Sequence, residues 1–323
     1  MVNVDISKLL TGDTRTLARA ITLVESQNPQ HRRASKKLLK AISNLKRSSF
    51  RISISGAPGA GKSTLIEALG LHLVERGHKV AVLTIDPTSP ISGGSILGDK
   101  IRMEKLSAHP QAFIRPSPTG LHLGGATNRT REVILLCESA GFDIIMVETV
   151  GVGQTEYQVK NMVDAFVLAV SPLSGDSIQG MKKGILELAD LILVTKADGA
   201  SKNLAEITLN DYKNSMQLKM RSDQWSPPVM TASSVEKTGI SELWEHLQNY
   251  LAFKQASGAL EKDRLNQKVL WTQDLCWEAI QAKLKPKLES PSMQKKILKM
   301  LSTGKMNPEQ AATIILKQVN PKH

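Results

Sequence analysis

The sequence predicts an α/β fold, a doubly wound and mostly parallel sheet with helical extensions at the N- and C-terminal ends. Three observations carry this. Short, almost wholly apolar runs such as Ala165–Val170 and Leu191–Thr195 alternate with longer segments of helical periodicity, which is how parallel strands covered on both faces read. A glycine-rich stretch, Gly56-Ala57-Pro58-Gly59-Ala60-Gly61-Lys62-Ser63-Thr64, lies between one such run and one such helix. Carboxylates fall at the C-terminal ends of other runs, as with Asp86 and Glu148, where open α/β sheets place their ligands.

Taken in order, residues 1–48 form a helical extension, with Leu17, Ile21 and Val24 on one helix and Leu38, Leu39, Ile42 and Leu45 on another, broken at Asn28-Pro29. Residues 49–255 form the α/β domain. Its strands are expected at Arg51–Ser55, Lys79–Ile85, Asp143–Val147, Ala165–Val170, Leu191–Thr195 and Pro228–Thr231. Its helices are expected at Leu65–Leu73, Arg131–Ser139, Ile178–Leu188, Lys202–Arg221 and Gly239–Phe253. Residues 256–323 form a helical tail of three pieces, Leu260–Leu284, Met293–Leu301 and Asn307–Val319, parted at Lys285-Pro286 and Ser290-Pro291. So short a tail cannot bury its apolar positions alone and is expected to pack on the core or on a second subunit as a dimerisation arm.

Composition narrows the function classes. With 41% hydrophobic residues in 323, the chain can bury a core without disulfides. Its two cysteines, Cys137 and Cys276, stand far apart, as in a reduced cytoplasmic protein. The start Met1-Val2-Asn3-Val4-Asp5-Ile6 has no basic segment followed by an apolar run, and nowhere does the chain reach the roughly 18 apolar residues of a membrane helix. A cytoplasmic protein with no membrane partner is expected. The net charge of +12 is spread over helices, as in Arg32, Arg33, Lys36, Lys37 and Lys40 or Lys295, Lys296 and Lys299, with no aromatic motif for reading RNA or DNA. No nucleic-acid partner is expected; these are solvated faces or a docking surface for an acidic protein.

The stretch Gly56–Thr64 fits G-x-x-x-x-G-K-[ST], the phosphate-binding loop of P-loop NTPases, in the strand-to-helix setting that the motif requires. Glycines let backbone N–H groups face a phosphate, the helix N-terminus favours negative charge, Lys62 adds a cation, and the Ser63 hydroxyl can ligate Mg²⁺. Thr195-Lys196-Ala197-Asp198, directly after a strand, fits [NT]-K-x-D. A carboxylate such as Asp198 accepts from both the ring N–H and the exocyclic amine of guanine, whereas adenine would leave it unpaired. Lys196 would lie along the base. Mg²⁺ needs Ser63, phosphate oxygens and one or two of Asp86, Asp99 and Glu148. Glu148-Thr149-Val150-Gly151 occupies the place of D-x-x-G, whose glycine senses the γ-phosphate. Gly151 and Gly153 give freedom to a switch segment, and Gln154 is a candidate for positioning water.

Together these residues resemble the MeaB/ArgK/methylmalonic aciduria type A family of P-loop GTPases, within a larger glutamate-substituted group of metallochaperone GTPases. The resemblance covers about residues 50–250. It rests on Gly56–Thr64, Asp86-Pro87-Thr88-Ser89, Ser92–Met103, Glu148–Gln154, Gly175-Asp176 with Gln179–Ile185, Glu187–Asp190, and Thr195–Asp198. It implies a slow, Mg²⁺-dependent GTPase that chaperones an adenosylcobalamin-dependent methylmalonyl-CoA mutase or related acyl-CoA mutase, as a homodimer. It also implies that Lys62, Ser63 and Thr64 bind phosphate and Mg²⁺, that Asp86, Asp99 and Glu148 are metal or catalytic acids, and that Asp176–Lys183 couples nucleotide to partner. Ser233-Ser234-Val235-Glu236-Lys237-Thr238-Gly239 corresponds to the last guanine-contacting motif, with the Ser234 N–H meeting the base. Thr195 replaces the family's usual asparagine, a tolerated change of a kind that can weaken a brace to the phosphate loop.

Two other activities suit the same fold. A nickel or cobalt metallochaperone GTPase needs clustered Cys and His ligands, whereas the seven histidines here are scattered. An amino-acid transport kinase or ATPase is opposed by Asp198, which selects guanine.

Overall fold

A computed structural model describes residues 4–26, 28–43, 45, 47–86, 103–118, 123–149, 155–172, 183–217, 225–302, 304 and 306–319. Seven strands form one sheet: β1 (Phe50–Ser55), β2 (Val80–Asp86), β3 (Ala112–Pro118), β4 (Ile144–Thr149), β5 (Ala165–Val170), β6 (Leu191–Val194) and β7 (Val229–Thr231). Their order is β3-β2-β4-β1-β5-β6-β7, and every pairing is parallel. The chain leaves β1 to one side for β2 to β4 and passes to the other for β5 to β7, so the strand order reverses beside β1. The sequence did not suggest β3. Pro116 and Pro118 lie in it, and proline argues against a strand unless the strand lies at an edge; β3 lies at an edge.

Alternate residues of the strands feed opposite faces. Ile52, Ile54, Val82, Met146, Val167 and Leu193 belong to one core with helix α4 (Lys62–Val74). Ala81, Leu83, Ile145 and Val147 belong to a second core, and Phe166, Leu168 and Ile192 to a third. The helical extension supplies three helices, α1 (Ile6–Leu10), α2 (Thr14–Glu25) and α3 (Pro29–Ile42). Leu9, Leu17, Ile21, Val24, Leu38 and Ile42 are buried in the second core. It is therefore covered by the extension and by the helix Leu123–Ser139, which packs against α2 and α3. Asn28 caps α3 by accepting from the Gln30 N–H, with Pro29 in the first turn, as the break in the sequence suggests.

At the N-terminal edge of the sheet a single device recurs. An aspartate directly precedes each of β4, β5 and β6, and its carboxylate accepts a backbone N–H at or beside the start of a neighbouring strand. Asp143 takes Lys79 N at 2.7 Å, Asp164 takes Arg51 N at 2.9 Å, and Asp190 takes Phe166 N at 2.8 Å. The two more deeply buried acids are also neutralised. Asp190 is paired with Lys160 and accepts from Tyr250 Oη at 2.7 Å. Asp164 holds Arg264 through two bonds, Nε to Oδ1 at 2.9 Å and Nη2 to Oδ2 at 2.7 Å. Burial works against the Arg264 charge, yet the bond and charge of Asp164, with Glu138 and Glu261, raise its pKa. Gln267 Nε2 donates to Val163 O at 2.7 Å. These contacts anchor the first turns of the long helix Ala259–Leu288.

The chain divides into two compact units, Met1–Gln267 and Lys268–His323. In the second, the helices Pro291–Ser302 and Pro308–Val319 pack together, with Ala311 and Ile315 buried. The expected break at Pro286 does not occur, and the helix continues to Leu288. Proline there gives up one N–H bond of the ladder, and the helix runs only two residues beyond it. The stop falls instead at Ser290, whose hydroxyl accepts from Met293 N at 3.4 Å. Among the described residues no helix is long and apolar enough to cross a membrane.

Candidate active site

The glycine loop leaves the C-terminal end of β1 and enters α4, as its spacing requires. Gly56 has φ +154°, and a Cβ there would stand 2.1 Å from the Ala169 carbonyl oxygen of β5, so only glycine lets the loop turn against the neighbouring strand. Gly61 caps α4 at φ +80°. Lys62, only 7% exposed, donates through Nζ to Gly56 O at 2.8 Å and Ala57 O at 3.0 Å. Carbonyl partners are what a buried ammonium needs, and here they hold the cation over the curl of the loop. Pro58, Gly59 and Thr64 are exposed along its rim, and Ala60 is buried beneath it.

Strand register brings Glu148 to this loop. It pairs with Ile54 of β1 on one side and Thr84 of β2 on the other, and Ser63 Oγ donates to its Oε1 at 2.8 Å. A residue the sequence left without a role fixes this end of β4: the buried Thr149 hydroxyl donates to Ser55 Oγ at 2.8 Å, immediately before the glycine loop. Asp86 terminates β2, the strand beside β4. Asp99, Gly151 and Gln154 lie outside the described residues, as does most of 176–183. A serine hydroxyl against a carboxylate at the mouth of a phosphate loop is an all-oxygen donor pair, which fits a hard cation such as Mg²⁺.

The second half of the site comes from the ends of β6 and β7. Thr195 Oγ1 lies 2.7 Å from Ala60 O and 2.9 Å from Val170 O, so the hydroxyl braces the phosphate loop. Lys196 adopts φ +54°, uncommon outside glycine, and its Cε would lie 3.8 Å from a Cβ on Gly61. The lysine thus runs alongside the loop. Asp198 accepts a hydrogen bond from Ser233 Oγ, and Ala197 N donates to Ala232 O at 3.2 Å. Ser233 also accepts from Glu236 N at 3.0 Å. Gly239 closes the turn at φ +75°, where a Cβ would meet Thr231 O at 2.5 Å. Ser234 is half-buried beside Asp198's partner, and Val235 is 79% exposed.

Two segments some 130 residues apart are therefore joined through the Thr195 hydroxyl. One end presents a cation, a helix N-terminus and a hydroxyl–carboxylate pair suited to phosphate and metal. The other presents a fixed carboxylate suited to a base with two adjacent donors. Among the described residues no group of three or more His, Cys, Asp or Glu side chains is placed to hold a metal ion. Cys137 is wholly buried, and burial pushes its thiol pKa up, which suits packing rather than ligation.

The comparisons agree with this geometry. The family described as methylmalonyl Co-A mutase-associated GTPase MeaB matches residues 17–289. A probable GTPase of Mycobacterium bovis is 45% identical over 310 residues, covering 96% of this chain and 92% of the relative. The mitochondrial methylmalonic aciduria type A homolog of Mus musculus is 42% identical, covering 98% of this chain and 79% of that protein. A crystal structure of a LAO/AO transport system kinase superposes with a TM-score of 0.76 at 36% identity, covering 98% of this chain and 95% of that one. Phosphate loop, brace and sheet order thus coincide with extensive sequence similarity, and the chain belongs to the MeaB family of P-loop GTPases.

Proposed function

We propose that this GTPase is Mg²⁺-dependent and acts as a chaperone for methylmalonyl-CoA mutase or a related adenosylcobalamin-dependent mutase, its nucleotide state gating cofactor loading and protecting the mutase. The observation that carries the nucleotide chemistry is the Ser63–Glu148 pair beside Lys62, joined through Thr195 to Asp198. The family's name carries the client.

In this reading the backbone N–H groups from Gly56 to Thr64 and the Lys62 ammonium hold the phosphates. Ser63 and Glu148, with Asp86 and Asp99, hold Mg²⁺. When bound, the ion neutralises charge on the β- and γ-phosphate oxygens. Asp198 accepts the two guanine donors, Lys196 lies along the base, and the turn Ser233-Ser234-Val235 closes over it with the Ser234 N–H. Water attacks the γ-phosphate directly, positioned by Gln154, while Gly151 senses that phosphate. No covalent enzyme intermediate is required.

Calorimetric titration of GDP, a GTP analogue and ATP, repeated on Asp198→Asn, tests both halves once mutase is added. Guanine-selective binding is expected, and the variant should lose about 10- to 100-fold in GDP affinity, the worth of a hydrogen bond to a charged group. A nucleotide-dependent complex with the mutase is expected as well. Equal affinity for ATP would overturn the role of Asp198, and guanine binding without any mutase complex would overturn the client.

The three-part division into 1–48, 49–255 and 256–323 belongs to the same proposal, as does homodimerisation through the tail. In the helix Ala259–Leu288, Leu265, Val269 and Ile280 recur at helical spacing with Trp277 alongside, and they are 62%, 49%, 44% and 64% exposed respectively. Such a stripe is costly to leave in water. Light scattering should give a dimer mass for the wild type and a monomer for Val269→Glu/Trp277→Glu; a wild-type monomer would refute the arm.

A further inference from the structure

Of the positive charge spread over the terminal helices, the N-terminal extension carries the larger share. The first 48 residues hold ten Lys and Arg against three Asp and Glu, and so supply seven of the twelve net charges. All three acids are already engaged. Asp5 and Asp13 cap α1 and α2 by accepting from Lys8 N and Thr16 N, and Glu25 is paired with Arg115. Helix α3, PQHRRASKKLLKAI, contains no acid at all.

Burial separates its faces cleanly. Leu38 and Ile42 are buried in the core beneath it, whereas Arg33, Lys36, Lys37 and Lys40 are exposed or half-exposed. None of these four has an ion-pair partner among the described residues. Arg33 with Lys37, and Lys36 with Lys40, are like charges at the i,i+4 spacing, which destabilises a helix. A cationic face formed at that cost, with no counter-charge paired to it among the described residues, is complementary to an anionic surface outside the chain.

Its chemistry favours a folded acidic protein. Residues 1–48 contain no Phe, Trp or Tyr, so the face lacks the stacking platforms that single-stranded nucleic acid uses. Ile6 and Leu45 are the large apolar side chains exposed in the described part of the extension, too few to enter a lipid interface as an amphipathic helix does. We propose that the face of α3 bearing Arg33, Lys36, Lys37 and Lys40 docks an acidic surface of the protein client. This rests on the mutase reading above and adds where the client binds. Because α3 covers the core opposite the one that contains α4, docking there leaves the nucleotide loop clear.

The test is Lys36→Glu/Lys37→Glu/Lys40→Glu in the full chain, with biosensor kinetics against methylmalonyl-CoA mutase over a range of salt. Charges at an interface act mainly on association rate and salt dependence. The wild-type association rate should fall steeply with salt, and the variant should associate at least about 10-fold more slowly at low salt with little salt dependence. GDP affinity and intrinsic GTP hydrolysis should stay within about twofold, since no altered residue lies in the nucleotide site. Should the triple reversal fail to fold, Lys36→Gln/Lys37→Gln removes two charges without adding acid and should show a smaller loss of the same kind.

A folded variant that binds mutase as the wild type does, with unchanged salt dependence, overturns the docking face and leaves the mutase reading standing. Failure of the wild type to bind mutase in any nucleotide state overturns that reading and the inference with it. Binding of the wild type to duplex DNA or to phosphatidylserine vesicles, lost in the variant while mutase binding persists, assigns the face to another partner and overturns the proposal.

Discussion

Lys62→Ala should reduce GTP hydrolysis by about 10²- to 10³-fold, the scale seen when one preorganised charge or donor is removed from a transition state. The lysine is buried, and its ammonium is tied to two carbonyls of the loop that curls around the phosphate position. Its position is fixed before nucleotide arrives, so little reorganisation is needed as charge shifts toward the bridging oxygen. Lys62→Arg should be nearly as damaging, because a planar guanidinium cannot reproduce a compact ammonium donating to Gly56 O and Ala57 O. Single-turnover hydrolysis at saturating GTP, with the melting temperature followed in parallel, separates loss of chemistry from loss of fold. A folded Lys62→Ala protein that keeps activity within about tenfold would remove the lysine from the mechanism.

The largest expected effect on stability lies at the opposite edge of the sheet. Asp164→Ala should cost about 3–5 kcal/mol, the range for breaking a buried ion pair and leaving its partner uncompensated. Asp164 is 1% exposed at the side chain and its partner Arg264 24%. The substitution would orphan the guanidinium and also strand the Arg51 N–H at the start of β1. Among the described residues Arg264 Nη2 would keep its bond to Ser49 O at 2.6 Å, and the first turns of the long helix would lose the Asp164 anchor. Urea unfolding monitored by circular dichroism measures this. A loss below about 1 kcal/mol would mean that the pair is as weak as an exposed one.

The two ends of the sheet differ in how well sequence reports them. At the C-terminal edge the ligand-binding chemistry is local: the glycine loop, Lys62-Ser63 and Thr195–Asp198 are contiguous motifs, and each can be read within nine residues. At the N-terminal edge the chemistry is distributed. Asp164, Arg264, Lys254 and Ser49 meet only in the folded chain, where Lys254 Nζ donates to Asp164 O at 3.1 Å. A faint signal did exist, for Asp143, Asp164 and Asp190 each stand as a lone charge directly before an apolar strand. Their partners come from other strands and helices, so spacing could not name them. Thr149 is similar, since it stood inside a recognised motif while its partner, Ser55, lies 94 residues away.

What the sequence determined by itself is therefore what local periodicity and contiguous motifs encode: strands alternating with helices, the phosphate loop in its strand–helix setting, the tetrapeptide Thr195–Asp198 at the end of a strand and the resemblance that follows. Tertiary structure decided the rest. It placed β3 at an edge, where Pro116 and Pro118 are tolerated, carried the helix past Pro286, set Glu148 between β1 and β2 within reach of Ser63, and turned Thr195 into a brace on Ala60. The division has a physical cause. Backbone propensity and hydrophobic period act over a few residues and leave a mark in sequence, whereas sheet register and side-chain partnership are settled by long-range pairing as the core closes.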